Sequence, residues 1–173
     1  LRLIHISDTI YAIAYWGNND NNLKIVTVDI DDSGNIGAVI DSFLSADAAG
    51  SGFMPKILHV SGDVYAVSYQ SLPPATGGGS ILTITIDSAG NIGATEIDTF
   101  QFEPVEMQEA DFIHISGTMF AIVYTGVDGD GFLITFTIAN DGTIANAVTD
   151  SEEFAPAFCD SPEIISVVEN IFA

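Results

Sequence analysis

The sequence predicts an all-β fold of tandem four-stranded antiparallel sheets. Three observations carry that prediction. First, one segment recurs along the chain. It reads LIHISDTIYAIAY at Leu3–Tyr15, ILHVSGDVYAVSY at Ile57–Tyr69 and FIHISGTMFAIVY at Phe112–Tyr124, and begins again as IISVVENIFA at Ile164–Ala173. Its histidines fall at positions 5, 59 and 114, and its aromatic-Ala pairs at Tyr11-Ala12, Tyr65-Ala66, Phe120-Ala121 and Phe172-Ala173. Self-similarity at such a period marks an architecture built from one supersecondary unit. Second, the runs LKIVTVDI, ILTITID and FLITFTIA alternate apolar and polar residues, the period-two pattern of strands. Third, no long stretch carries a 3.6-residue apolar period, so helix content should be very low.

Each repeat resolves into four strands. The first centres on IHIS and its counterparts. A two-residue turn follows, with Asp8-Thr9, Gly62-Asp63 or Gly117-Thr118 at its centre. The second strand is YAIAY and its equivalents. A connection of varied length comes next: GNNDNN, QSLPPATGGGS, then TGVDGDG. The third strand is the Val/Ile/Thr-rich run. A glycine-bearing turn (DDSGNI, SAGNI, NDGTI) closes the hairpin to the fourth strand, because a positive φ costs glycine little. The fourth strand is less regular and leads to Asp41, Asp98 and Asp150. The repeats are expected at about 1–55, 56–110 and 111–163, with a partial fourth at 164–173, all within a single repeat domain.

Composition sets further bounds. Of 173 residues 47% are hydrophobic and 16% charged, too apolar for a disordered chain. Twenty-four acids face three bases, Arg2, Lys24 and Lys56, for a net charge of −21. Phosphate binding needs clustered Lys and Arg, so the chain is no nucleic-acid binder. No apolar run is long enough to insert into a membrane as a helix. Cys159, the one cysteine, has no partner for an internal disulfide.

Four antiparallel strands in roughly 50 residues, repeated in tandem, form the signature of a β-propeller blade. The pattern His-Ile/Val-Ser-Gly-x-x-Tyr/Phe-Ala-Ile/Val-x-Tyr, with the later Gly-x-Ile turn, resembles blade repeats of large secreted and cell-surface proteins of bacteria and archaea. The Gly-His…Trp-Asp signature of WD repeats and the Gly-Gly doublet of kelch repeats are absent. The resemblance implies a β-propeller-type fold of about three blades plus part of a fourth, an extracellular or cell-surface location, and a scaffold role. Three and a fraction blades do not close a ring. The expected partners are therefore other blades of a longer chain or other copies of itself.

Several residues are candidates for function. His5, His59 and His114 occupy equivalent places on the first strands, where they would line a central channel or serve the structure of each blade. Asp128 and Asp130 alternate with glycines in GVDGDG, a pattern suited to calcium. Asn18 to Asn22 supply oxygen ligands at the same place in the first repeat, and Pro73-Pro74 and three glycines stand there in the second. Tyr15, Trp16, Tyr69 and Tyr124 end the second strands. They would form a ligand-binding rim for a glycan or protein, or pack between blades with the hydroxyl satisfied. Motifs for hydrolases, zinc proteases and nucleotide binding are absent. The expected function is a non-enzymatic extracellular binding module or scaffold that presents variable loops. The alternatives are a structural subunit of a surface layer or filament, and part of a propeller lyase or glycosidase.

Overall fold

The computed structural model describes residues 2–17, 22–45, 51–71, 77–168 and 171–172, with only the backbone of Arg2, Ser51, Gly52, Phe53, Val168 and Ile171. The chain is all-β. A first sheet holds β1 (Arg2–Ser7), β2 (Ile10–Gly17), β3 (Asn22–Ile30) and β4 (Ile36–Leu44). A second holds β5 (Ser51–Ser61), β6 (Val64–Ser71), β7 (Gly79–Thr85) and β8 (Asp98–Glu103). A third holds β9 (Gln108–Ser116), β10 (Met119–Thr125), β11 (Gly131–Thr137) and β12 (Asp150–Ala155). β13 (Ser166–Val168) and β14 (Ile171–Phe172) pair as a two-stranded piece. Every sheet is an antiparallel meander in chain order. No α-helix occurs among the described residues.

The turns explain why the meanders form where they do. Asp8, Gly62 and Gly117 take φ of 42°, 52° and 56° at the first position of the two-residue turns, the left-handed region that hairpins need. A bulge follows in each first strand, between His5 and Ser7 and between His59 and Ser61, with its counterpart at His114–Ser116. The turns between third and fourth strands fold on an aspartate. The Asp31 carboxylate accepts from the Ser33 and Asn35 amides at 2.9 Å each, and Asp87 repeats this with Ala89 and Asn91. These bonds, led by the one from the asparagine side chain, hold the Asp31 and Asp87 carboxyls below the usual range. The fourth strands differ between repeats. β4 starts at Ile36, directly after its turn, whereas the second and third repeats make one bridge (Ile86 with Ile92, Ile138 with Ile144) and rejoin at Asp98 and Asp150.

Alternation gives each sheet two different faces. On β6, Tyr65, Val67 and Tyr69 turn to the first sheet and join a core with Ala12, Ala14, Leu23 and Ile25. Ala66 turns the other way and joins Phe112, Phe120, Ile122, Phe136 and Tyr124 of the third sheet. On β10, Ala121 and Val123 continue the series toward Ile164 and Phe172. Large side chains of one sheet therefore pack on the face of the sheet before it that carries the alanines of its second strand. Both faces of the second sheet are covered, so its β6 is buried from Val64 to Gln70. Consecutive sheets touch through their first strands, β5 against β1, β2 and β3, and β9 against β5 and β6.

A polar latch repeats beside each core. Thr27 on β3 donates its hydroxyl to the Gly90 carbonyl at 2.6 Å, and Thr83 on β7 does the same to Gly142 at 2.6 Å. The Asp41 carboxylate accepts the Ile92 N–H at 2.8 Å, and Asp98 accepts that of Ile144 at 2.8 Å. The first and second sheets thus each grip the glycine turn of the next through one hydroxyl and one carboxylate. The grip satisfies backbone groups that would otherwise be buried unpaired.

Candidate functional site

Antiparallel pairing sorts the connections onto two ends of the sheets. One end carries the short, repeated turns. The other carries the varied connections between second and third strands and the entries to the first strands. The end with varied connections holds a cleft of about 290 Å³ lined by Met54, Lys56, Glu109, Ala110, Ser161, Pro162 and Glu163. Three successive repeats contribute the same positions to it. Met54-Pro55-Lys56-Ile57, Glu109-Ala110-Asp111-Phe112 and Ser161-Pro162-Glu163-Ile164 are equivalent segments.

The backbone is strained at that position in all three. Met54, Glu109 and Ser161 have φ of 50°, 43° and 49°, a region non-glycine residues seldom adopt. Met54 and Glu109 sit in bulges where β5 and β9 break register against β6 and β10. Such residues re-aim side chains and cluster at binding sites.

The cleft is polar and mixed in charge. Lys56 pairs with Asp111 at 3.7 Å, across two sheets. The Glu109 carboxylate accepts the Ser161 amide at 2.6 Å and the Ser161 hydroxyl at 2.7 Å. The Ser161 hydroxyl, then Asp160, lower the Glu109 carboxyl, and the bond to Glu109 raises that of Asp160. The site offers one ammonium and carboxylate acceptors to a polar ligand. Its acidic surroundings favour a ligand that is neutral or cationic.

The residues singled out in the sequence are distributed differently. His5, His59 and His114 lie at the end with short turns, where each Nε2–H donates to a carbonyl of its own turn: Asp8 at 2.8 Å, Gly62 at 2.8 Å, Gly117 at 2.9 Å. Each ring also rests on the next aromatic in register, Tyr11, Tyr65 or Phe120. His5 and His59 line a second cleft of about 240 Å³ with Asp63 and Tyr65. Tyr69 and Tyr124 are buried in the cores between sheets, and the Tyr124 hydroxyl donates to Glu103 at 3.2 Å. Burial, then the Glu103 charge, pushes the Tyr124 phenol well above its usual value. Tyr15 is half-buried beside Lys24 and Val26 on the outer side of the first sheet, and Trp16 is half-buried.

Asp128, exposed with φ 62°, lies within the 3-10 turn Val127–Gly129, and half-buried Asp130 follows it. Among the described residues no group of three or more His, Cys, Asp or Glu is placed to hold a metal ion. Asn18, Asn19, Asp20, Asn21, Pro73 and Pro74 lie outside the described residues. The cleft residues Met54, Glu109 and Ser161 had a sequence signal: the positions 54, 109 and 161 follow the repeat period, although their side chains differ. No protein-family model and no curated protein matches the chain.

Proposed function

We propose that this chain forms blades of a β-propeller and acts as a non-enzymatic binding module on the cell surface or outside the cell. In this reading the fixed sheets are scaffold and the end with varied connections takes a ligand. The observation that carries it is the cleft to which three successive repeats bring one equivalent, left-handed residue each. Contacts between consecutive sheets run through the first strands, which suits a radial arrangement with those strands innermost. Repeats that differ at one shared position of a common cleft can discriminate a ligand without altering the framework. The ligand class that fits is an uncharged or amino-bearing glycan, held by Glu109, Glu163 and the Lys56 ammonium.

An enzymatic reading draws less support. Glycosidase carboxyls face each other across a gap that holds the substrate. The Glu109 carboxylate is instead occupied by the amide and hydroxyl of Ser161. The experiment is calorimetric titration with neutral and amino oligosaccharides. Binding should fall at least tenfold in Glu109→Ala and be unchanged in His59→Ala, with the sugars recovered intact. Binding that survives Glu109→Ala and Lys56→Ala together, or cleavage of the sugar, would overturn the proposal.

A further inference from the structure

The end with short turns carries the second cleft, of about 240 Å³, at the joint between the first and second sheets. His5 and Ser7 reach it from β1, His59 from β5, Asp63 from the turn that follows, Tyr65 from β6 and Ser88 from the turn beyond β7. The Ser7 hydroxyl donates to the Ser88 carbonyl at 2.6 Å and ties the two walls together. His5 and His59 each commit Nε2–H to a carbonyl of their own turn, at 2.8 Å, which leaves Nδ1 as an acceptor. The imidazoles are exposed in all three repeats, even at His59 and His114, which have a sheet packed before them.

Tyr65 makes this cleft more than a gap between sheets. The residue is 3% exposed and belongs to the core between the first two sheets. It nevertheless lines the cleft, and among the described residues its hydroxyl has no hydrogen-bond partner. A buried phenol ordinarily finds one, as Tyr124 does in Glu103. Burial, then the charge of Asp63, raises the Tyr65 phenol, so a neutral hydroxyl stands within reach of a carboxylate. The pair belongs to this joint alone. Thr9 and Thr118 hold the place of Asp63 in the first and third repeats, and Phe120 holds that of Tyr65 where the third sheet meets the second. Framework groups such as the histidines recur from repeat to repeat; this combination does not.

We propose that the cleft binds a small primary ammonium ion, with the Asp63 carboxylate as its counter-charge and the Tyr65 hydroxyl and His59 Nδ1 as its acceptors. An alkylammonium brings three N–H donors and no acceptor, the complement of this lining. Neither Lys24 nor Lys56 lines the cleft, and the net charge of −21 draws cations while repelling anions. Among the described residues no three His, Cys, Asp or Glu are placed to hold a metal ion, which favours an organic cation over a bare one. The volume lies below the roughly 300–1,000 Å³ of sites for drug-sized ligands, so the occupant is an amine of a few carbons. This site lies at the opposite end of the sheets from Glu109, and it requires neither a ligand there nor a closed ring of blades.

The test is an NMR titration of the full chain with n-butylammonium, followed at the His59 ring and the Ile86 methyls, which also line the cleft. It is run at about pH 8, above the ordinary imidazole value of about 6.5, with butanol and butyrate as uncharged and anionic counterparts. Butylammonium should give saturable shifts, and both counterparts should bind at least tenfold more weakly. Asp63→Asn, which removes the charge and keeps the shape, should weaken butylammonium at least tenfold. Asp63→Thr combined with Tyr65→Phe gives this joint the residues of the next one, so it should fold as the parent does and lose binding to the same degree. Absence of a saturable shift, equal binding of butanol, or affinity unchanged in both variants (the result of unspecific attraction to an acidic chain) would overturn the proposal.

Discussion

Replacing Asp98 by alanine removes the carboxylate that accepts the Ile144 N–H at 2.8 Å. Ile144 is 2% exposed, so its amide cannot turn to water instead. A hydrogen bond to a charged acceptor contributes about 1.5–3 kcal/mol, and an orphaned buried donor keeps the loss near the upper part of that range. The expected cost is therefore about 2–3 kcal/mol. For a chain of this size each kcal/mol moves the melting temperature by about 2–4 °C, so Tm should fall by about 4–12 °C. Asp150→Ala is the internal control. It also removes one negative charge and one local bond, to the Ser151 amide, but grips no turn. Its cost should stay near 0.5 kcal/mol, roughly that of one exposed bond. Urea unfolding followed by circular dichroism gives both numbers. Equal losses for the two variants would refute the reasoning, because the latch would then not be what Asp98 stabilises.

Other expectations follow from the same geometry. Gly142→Ala should cost about 2–3 kcal/mol, since it combines a left-handed φ with a clash at Ile97, while Gly34→Ala should cost only the backbone share, about 1 kcal/mol; urea midpoints of the two variants distinguish them. The raised Tyr124 phenol contributes stability that is complete below pH 10, the ordinary tyrosine value, and is lost as pH rises toward its folded value. Tyr124→Phe should accordingly unfold at a higher alkaline pH than the parent, read by fluorescence across an alkaline titration. The Asp160 carboxyl is raised by its neighbour Glu109, so Asp160 should take up its proton at a higher pH than a free aspartate. The Ser161 amide resonance should move with that titration and stay still in Asp160→Asn.

Much of this framework is legible in the sequence because repetition exposes it. The strands, two-residue turns and glycine hairpins each rest on local chemistry that three copies display side by side. The role of Asp41, Asp98 and Asp150 is not local. They end a run in the sequence, and the partners of Asp41 and Asp98 lie in the turn of another repeat. The tyrosines show the same limit. Tyr15, Tyr69 and Tyr124 share one position, yet only the latter two are buried, because burial depends on a neighbouring sheet rather than on the residue. The cleft escaped for a different reason. Met54, Glu109 and Ser161 share a backbone conformation and no side-chain chemistry, so comparison of residue identities passes over them.

The pairing of a face rich in large side chains with one that carries the alanines of a second strand gives the stack a direction. Any sheet can follow any other, since each presents the same two surfaces, but none can be inserted backwards. Duplication or exchange of whole repeats in such a gene would carry a ready-made fit at both joints, whereas inversion of a segment would set bulk against bulk. Diversity can therefore accumulate in the connections at one end, and in the number of repeats, without a new interface having to evolve.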